Sequence, residues 1–412
     1  MLLLSRVLGR PVRDAGGEVI ATLDDLVGRW QPDHGLVVSG LVAKSGRRLF
    51  FLPWQQVADL SEEGVRFASY QVNLQPFERR AGEVLLAADI VDRRLIDVRR
   101  RKVIRVNDVV LAPTEGRVAV YAVDIGFAAL LRRLAPRWLS HLFSNMVLVA
   151  WSDVEWLPSE AEPQAKPSFP LLARLHPVEV AHIVNELPPR QAADIVESLE
   201  DEEAAEVLSE VSEEQQAGVL RNMDEERAAD ILEEMEPDDA ADLLSRLDPQ
   251  DAGDLLHRME DEEARDVQAL MEYKEGTAGG LMTSHFVVVP QQWTASQALA
   301  LLRWMEDRPE TVTHLLVVEQ PGSEHLVGMV SLLDVVVAEP EAEIGSFMVR
   351  DLPTVRPDTD TSEVARRMAE YNLAVIPVVD ESGRVLGIVA VDDVVEEMLP
   401  ERWRRRLPRL FG

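Results

Sequence analysis

The sequence predicts a multidomain α+β protein with N-terminal small β-barrels, a central all-α superhelix of 12-residue repeats and a C-terminal α/β pair of related motifs. Three observations carry this prediction. Short apolar segments alternate with glycine turns up to about residue 157, an apolar residue stands at every twelfth position from 175 to 271, and one strand–helix–strand–strand–helix pattern occurs twice after residue 276. At 412 residues the chain is long enough for several such cores.

Composition excludes several classes of protein. Cysteine is absent, which rules out disulfides, thiolate metal sites and cysteine nucleophiles and suits the reducing cytoplasm. No apolar run reaches the roughly 18 residues that a spanning helix needs, since the best one, Val118 to Leu131, is broken by Asp124. The apolar start is too short for a signal peptide. We therefore expect a cytoplasmic protein without a membrane span.

The acidic charge is concentrated in one block. The chain carries a net charge of -31, and residues 171–275 hold 32 acidic against 8 basic residues, whereas residues 1–157 hold 18 acidic and 21 basic ones. Such a field repels nucleic-acid phosphates and attracts cations, so we expect no nucleic-acid partner. The block is either the solvated surface of a helical domain or a cation-sensing surface, and the charge alone leaves both open.

Residues 1–80 are predicted to form a small barrel of five short strands, punctuated by glycine turns. The most distinctive segments read Leu8-Gly-Arg-Pro-Val12, Asp14-x-x-Gly17, Leu23-x-Asp25-Leu-Val27 and Leu52-Pro-Trp-x-x-Val57. This order resembles the PRC-barrel family. Because that fold acts mainly as a protein-interaction module, the resemblance implies a protein partner.

Residues 81–157 repeat the same plan more weakly, with Val149-Ala-Trp-Ser-Asp-Val154 in the place of the Leu-Pro-Trp segment. We interpret them as a second PRC-like barrel or half-barrel. The run Arg99 to Lys102 is either a basic patch or a charged edge that prevents aggregation. Residues 158–170 are proline-rich and polar, which is typical of a linker.

Residues 171–275 contain the 12-residue repeat. The repeated apolar positions are Leu175, Leu187, Leu199, Val211, Met223, Met235, Leu247, Met259 and Met271. Each unit starts with prolines or acidic residues that suit a first helical turn, followed by small residues, an acid and two large apolar residues. Twelve residues make about 3.3 helical turns, so one continuous helix would rotate its apolar stripe away from the core. The pattern therefore predicts short helices of about nine residues, wound into a superhelix.

Residues 276–399 contain the twofold motif, whose copies end in Gly328-Met-Val-Ser-Leu-Leu-Asp334 and Gly387-Ile-Val-Ala-Val-Asp-Asp393. These phrases resemble the CBS motif, and the two copies are expected to form one CBS pair. The repeat block, the connecting segment Tyr273 to Thr283 and this pair together resemble the cytosolic part of MgtE-type magnesium transporters, with the MgtE N domain at 171–275. Those transporters continue into a transmembrane pore domain, whereas residues 400–412 form a basic tail, so this chain is expected to lack transport activity of its own.

The CBS resemblance implies a site for ATP or AMP, since the helix that follows each phrase presents a hydroxyl, amides and a carboxylate to a nucleotide. The residues that fit this role are Ser331, Asp334, Thr354, Pro377 and Asp393. The second copy departs from the pattern, because Ala390 stands where a hydroxyl is expected. The alternative is that these residues only cap helices and close turns.

The MgtE resemblance implies a switch in which Mg²⁺ draws the N domain and the CBS pair together. Magnesium prefers oxygen ligands and keeps several waters, so carboxylates that face each other across a domain boundary suit it. The expected metal ligands are Asp230 and Asp242 on the repeat block and Asp392, Glu396 and Glu397 on the last helix. A homodimer through the CBS pair is also expected.

No enzyme is expected, since P-loop, G-x-S-x-G and H-E-x-x-H motifs are absent and the eight histidines do not cluster. The sequence thus favours a regulatory sensor for Mg²⁺ and an adenine nucleotide. The alternative is a non-sensing scaffold built from PRC-barrel and CBS modules. The basic tail suits peripheral contact with an anionic membrane or an acidic partner, unless it is simply a frayed end.

Overall fold

The computed structural model describes residues 1–31, 35–69, 75–114, 117–134, 145–156, 169–305, 309 and 312–399. The basic tail lies outside these residues, as does the predicted linker apart from 169 and 170. By its contacts the chain separates into two units, Met1–Leu175 and His176–Gly412.

The first unit is a nearly closed barrel sheet. Its strands and helices are β1 Leu2–Leu3, α1 Leu4–Val7, β2 Pro11–Arg13, β3 Val19–Gln31, β4 Gly35–Ser45, β5 Arg48–Pro53, β6 Val57–Ser61, β7 Gly64–Phe67, β8 Gln75–Pro76, β9 Glu83–Leu85, β10 Arg94–Asp97, β11 Lys102–Arg105, β12 Asp108–Thr114, β13 Arg117–Asp124, α2 Phe127–Leu134, β14 Leu148–Ala150 and β15 Val154–Glu155. The main path runs β1-β12-β13-β4-β3-β2-β7-β6, and β11-β10-β15 form a separate small sheet. Valine- and leucine-rich strands place one face inside, as the alternation in the sequence predicts.

Both predicted barrel regions contribute strands to this sheet. The hairpin β3–β4 belongs to residues 1–80 and the hairpin β12–β13 to residues 81–157, and the two lie side by side where Ala119 pairs with Val37. The short strand that precedes each hairpin crosses over: β1 pairs with β12, and β9 pairs with β3. One buried cluster contains residues of both regions, among them Leu26 and Leu111. The predicted barrel class is confirmed, while the boundary at 80/81 and the PRC assignment stay predictions.

The second unit begins with the predicted superhelix of short helices. These are α3 Pro177–Asn185, α4 Pro189–Val196, α5 Asp201–Glu210, α6 Glu213–Leu220, α7 Glu225–Glu233, α8 Pro237–Ser245, α9 Pro249–Leu256 and α10 Asp261–Leu270. They are 8 to 10 residues long, close to the predicted nine. The period-12 residues between Leu187 and Met259 are buried at the turns between helices, whereas Leu175 and Met271 are only half-buried, because the end repeats lack a neighbour on one side.

Each helix packs mainly on the second helix after it, so two repeats make one turn of the superhelix. Side chains from one turn of the superhelix accept hydrogen bonds from backbone amides at helix starts in the next turn. The Asn185 side-chain oxygen accepts a hydrogen bond from the Ser212 amide (3.0 Å), and the Glu233 carboxylate accepts one from the Glu260 amide (2.6 Å). The acceptors satisfy helix-start amides that would otherwise lack a partner, which fixes the stacking distance between successive turns.

The rest of the second unit consists of β16 Val288–Pro290, α11 Ala295–Trp304, β17 His314–Val318, β18 Leu326–Ser331, α12 Leu332–Val337, α13 Ile344–Phe347, α14 Thr361–Tyr371, β19 Val375–Val379, β20 Val385–Ala390 and α15 Val391–Met398. The first copy follows the predicted order. The second copy differs in its first strand, where Val355 makes a single parallel bridge to Val378. Pro353 and Pro357 on either side cannot donate to a ladder, which explains why this strand does not extend.

The glycine that opens each CBS phrase has a steric reason. A Cβ on Gly328 would lie 2.7 Å from the carbonyl oxygen of Val349, and a Cβ on Gly387 would lie 2.7 Å from that of Thr283. The backbone at Val349 passes β18, and the backbone at Thr283 passes β20, too closely for the glycine there to be replaced by a residue with a side chain. The two copies therefore dock through equivalent backbone contacts. Among the residues that the structure describes, no helix is long and apolar enough to cross a membrane.

Candidate functional site

Helix α8 begins with an acidic cluster beside the CBS pair. Its sequence Glu236-Pro-Asp-Asp places proline at the first helical position and Asp238 and Asp239 in the first turn, where the helix dipole favours negative charge. Glu236 reaches the segment that leads into the CBS pair. Its carboxylate accepts a hydrogen bond from the Thr283 hydroxyl (3.2 Å) and lies 3.5 Å from Nδ1 of His285. The cluster thus sits at the boundary between superhelix and CBS pair.

A small pocket opens at this boundary, with room for about one water-sized group. It lies between α8, the end of α10 and the segment that follows α10. Its lining residues are Asp238, Ala241, Asp242, Ser245, Leu270, Met271, Tyr273, Glu275, Gly279, Gly280 and Met282. Three of these lining residues, Asp238, Asp242 and Glu275, carry carboxylates.

Burial and neighbouring carboxylates raise the pKa of two aspartates that line the pocket. Burial raises the pKa of Asp238 well above its usual range, and the charges of Asp239, Asp393 and Glu236 raise it further. Within the described part of the chain, Oδ1 of Asp238 has no hydrogen-bond partner. Loss of water contact raises the pKa of Asp242 to about 6; Arg246 opposes this shift, while Asp239 and Glu275 add to it. When these carboxylates are ionised they repel one another, and a bound cation would offset that repulsion.

The structure links Asp393 of α15 to this cluster through its effect on Asp238. The sequence places Asp393 in a predicted nucleotide site, and its pattern does not single out Asp238, Asp239, Glu236 or Glu275 as site residues. Every repeat carries acids in its first turn, so the sequence alone gives no sign of which copy faces the CBS pair. Of the predicted metal ligands, Asp242 lines the pocket.

The other predicted metal ligands lie nearby or elsewhere on the surface. Asp392 is half-buried in the first turn of α15; Glu396 is exposed and Glu397 half-buried towards the end of that helix. Asp230 is exposed on α7; burial raises the pKa of the nearby Glu233, and the charge of Asp230 adds to that rise. In the described ranges, no three His, Asp or Glu side chains form a ready set of metal ligands. A hydrated magnesium ion needs only one or two direct carboxylates, so these residues stay predictions.

The first CBS junction has a preorganised hydroxyl and carboxylate. Ser331 is the N-cap of α12: its hydroxyl accepts a hydrogen bond from the Asp334 amide (3.0 Å) and donates one to Asp334 Oδ2 (2.7 Å). His314 lies close by on β17, where burial lowers its pKa and the charge of Asp334 opposes that shift. Because Asp334 is exposed, its carboxylate can accept hydrogen bonds from the ribose hydroxyls of a ligand.

The second junction lacks the hydroxyl. Ala390 is the N-cap of α15 and has no side-chain cap, as the sequence indicated. Thr354 and Pro377 lie on neighbouring segments, since the amide of Val355 donates to the carbonyl of Pro377 at 3.0 Å. Asp393 follows in the first turn of α15, so the same carboxylate belongs both to this junction and to the acidic cluster.

Comparisons with known proteins agree with this architecture. Residues 175–276 match the family model of the MgtE intracellular N domain, and residues 278–341 and 344–400 match that of the CBS domain. The magnesium transporter MgtE of Thermus thermophilus is 43% identical over 129 residues, which are 31% of this chain and 28% of the transporter. This chain therefore spans less than a third of that relative's length.

Two solved structures resemble the second unit. The cytosolic domain of the Mg²⁺ channel MgtE in complex with ATP superposes with a TM-score of 0.52 at 38% identity, covering 55% of this chain and 92% of that one. The soluble part of a magnesium transporter gives 0.51 at 30% identity, covering 55% and 89%. Residues 175–400 of this protein are therefore an MgtE N domain followed by a CBS pair, homologous to the cytosolic domain of MgtE.

Proposed function

We propose that this protein is a regulatory protein, not an enzyme, in which Mg²⁺ holds the N domain and the CBS pair together. One observation supports this most directly: burial raises the pKa of Asp238 in the N domain well above its usual range, and the nearby charges of Asp239 and of Asp393 in the CBS pair raise it further. Like charges at this boundary repel one another when they are ionised. A divalent cation that binds only the closed form stabilises it by RT ln(1 + [Mg²⁺]/Kd).

The ion is proposed to bind Asp238 and Asp242 in the pocket, with Asp393 on the CBS side. Magnesium would keep most of its waters, and these would reach carboxylates that do not ligate it directly. We propose water-mediated contacts of this kind for Asp392, Glu396 and Glu397 on α15 and for Asp230 on α7. The N-cap residue Glu236 already contacts Thr283 and His285, so it holds the two domains in register beside the ion.

An adenine nucleotide, ATP or AMP, is proposed as the second ligand. Ser331 and Asp334 would bind it at the first junction, and Thr354, Pro377 and Asp393 at the second. The support is the preorganised pair at Ser331 and the likeness to a cytosolic domain that was crystallised with ATP. We further propose a cytoplasmic homodimer through the CBS pair and a protein partner at the N-terminal barrel. One such partner is a transporter that the protein regulates in trans.

The test is small-angle scattering of the full chain in chelator and in Mg²⁺. We expect Mg²⁺ to reduce the radius of gyration of the wild type. The double variant Asp238→Asn with Asp242→Asn should be compact in chelator already and respond little to the ion. Asp254→Asn is the matched control, because Asp254 occupies the same repeat position as Asp242 one unit later but is not among the residues that line the pocket. If the wild-type profiles are identical in chelator and in Mg²⁺, the sensor is disproved and the scaffold remains.

A further inference from the structure

His285 is fixed by its backbone to the CBS side of the boundary with the N domain. It follows Thr283, whose amide donates to the carbonyl of Ile388 in β20 (2.9 Å), while the Ile388 amide donates to the carbonyl of Thr283 (3.1 Å). The amide of His285 donates in turn to the Thr283 hydroxyl (3.3 Å). These bonds hold the backbone that carries the imidazole against the second CBS copy.

The imidazole of His285 faces acidic side chains from two helices of the N domain. Its Nδ1 lies 3.5 Å from the carboxylate of Glu236 at the start of α8, and the two side chains are only 25% and 20% exposed. On α10, burial raises the pKa of Asp266 and two glutamates of the same helix raise it further, whereas the charge of His285 lowers it. A titratable base of the CBS side thus stands between two acids of the N domain.

The other charged groups on these two helices near His285 are mostly acids. They are Glu262, Glu263 and Arg265 on α10 and Asp238 and Asp239 on α8. Oε2 of Glu263 is buried and, in the part of the chain that the structure describes, accepts no hydrogen bond. A proton on His285 therefore brings positive charge to a boundary where negative charge is in excess.

Protonation changes what this imidazole can do. An unperturbed histidine gains its charge near pH 6.5, and both ring nitrogens of the charged form donate hydrogen bonds. The partly buried carboxylate of Glu236 is in place to pair with that charge. We propose that protonation of His285 draws the N domain and the CBS pair together without a metal ion, so that the protein responds to pH as well as to Mg²⁺. This inference rests on the closure described under the proposed function and adds the proton as a further ligand of it.

The direction of the pH effect follows from linkage. Only the closed form places His285 against Glu236 and Asp266, so this form binds the proton more tightly and is favoured as pH falls through about 7 to 6. The pocket carboxylates act in the same direction when no metal is present, because the pKa of Asp242 is about 6 and acid removes its charge. Variants of His285 are therefore needed to separate the two contributions.

The experiment is small-angle scattering of the full chain in chelator between about pH 5.5 and 8. We expect the wild type to become compact as pH falls. His285→Gln should lower the ratio of closed to open protein at about pH 6 by up to about fivefold, the effect of one partly buried ion pair. His285→Lys keeps its charge up to about pH 10 and should be compact at pH 7.5 as well. His257→Gln is the matched control, since His257 is exposed at the end of α9 in the same domain.

A second variant tests the partner of the imidazole. Glu236→Gln retains an acceptor for the Thr283 hydroxyl but removes the charge, so it should weaken the acid response as His285→Gln does. Combining the two changes should add little to either one, because both remove the same pair. Thermal unfolding at pH 7.5 should show each variant folded like the wild type.

Failure of this inference differs from failure of the proposed function. At pH 7.5 the imidazole is mostly neutral, so the wild type and His285→Gln should both become compact in Mg²⁺. If they do, an acid response of His285→Gln equal to that of the wild type, or a His285→Lys variant that stays open in chelator, would overturn the role of His285 alone. A wild type that does not become compact in Mg²⁺ would disprove the closure itself and this inference with it.

Discussion

Asp25, in the first half of the N-terminal unit (residues 1–80), and Asp108, in the second half (residues 81–157), each accept hydrogen bonds from the start of the other half. The Asp25 carboxylate accepts hydrogen bonds from the amides of Ala87 (2.8 Å) and Ala88 (3.1 Å), and the Asp108 carboxylate accepts from the amide (3.0 Å) and the hydroxyl of Ser5. Each aspartate is buried in a long strand of its own half. Each half therefore fixes the start of the other, and we expect residues 1–157 to unfold cooperatively.

The first prediction concerns Asp25 and pH. Burial raises its pKa from 3.8 to about 6, although three backbone amides act in the opposite direction. The folded state therefore binds a proton more tightly than the unfolded state, and this group's contribution to stability is lost as pH rises from about 4 to 6. A rise of this size corresponds to roughly 3 kcal/mol. Asp25→Asn should remove this part of the pH dependence of urea unfolding.

Tryptophan fluorescence is a suitable signal for that experiment, since five of the eight tryptophans lie in residues 1–157. Asp24→Asn is the control, because Asp24 is the exposed neighbour of Asp25 in the same strand. A wild-type pH slope in the Asp25→Asn variant would contradict the prediction.

The second prediction concerns the pH dependence of the Mg²⁺ response. The pKa of Asp242 is raised to about 6, so its carboxyl is increasingly protonated below that pH and cannot hold a cation there. We expect Mg²⁺ affinity, measured by calorimetry, to increase as pH rises from about 5 to 7. Asp242→Asn should lower the affinity at pH 7 and reduce its pH dependence, whereas Asp254→Asn should retain both. An affinity that is constant over this range would argue against Asp242 as a ligand.

The third prediction restores the missing hydroxyl of the second CBS copy. Ser331 and Ala390 occupy equivalent N-cap positions with similar extended backbone, but only Ser331 accepts a hydrogen bond from the helix. Ala390→Ser should therefore raise stability by about 1 kcal/mol, and Ser331→Ala should lower it by a similar amount. Calorimetric titration with ATP should also show tighter binding in Ala390→Ser if the nucleotide reaches this junction. Equal melting temperatures for wild type and Ala390→Ser would refute the capping argument.

The fourth prediction concerns the glycines that let the CBS segments cross. Gly387→Ala would place a methyl group 2.7 Å from a carbonyl oxygen, so we expect it to lower the melting temperature of the second unit. Gly253→Ala is the control in helix α9, where a Cβ meets no atom within 4 Å. That change should stabilise the protein by up to about 1 kcal/mol, because alanine favours a helix. Similar effects of the two substitutions would show that the close crossing does not limit side-chain size.

Much of the architecture could be predicted from local patterns. The 12-residue period gave the short helices and the buried turn residues, because each repeat makes the same contacts with its neighbours. The CBS phrases placed Ser331 and Asp334 at a helix start. The first strand of the second copy does not form beyond Val355, because the flanking prolines lack amide donors. The sequence pattern also predicts two consecutive barrels in residues 1–157, and no local signal indicates that β1 pairs with β12 and β9 with β3.

The sequence by itself determined the order of modules, the helix lengths and the residue types at each helix start, since these depend on periodicity and on contacts between near neighbours. The tertiary structure decided which of many similar acids meet: α8 brings Asp238 towards Asp393, although 155 positions separate them in the chain. The tertiary structure also decided that Asp25 accepts hydrogen bonds from residues 81–157 and that Asp108 accepts them from residues 1–80. The physical reason is that desolvation and charge crowding depend on distances in space, and a repeat sequence presents nearly the same acids in every unit.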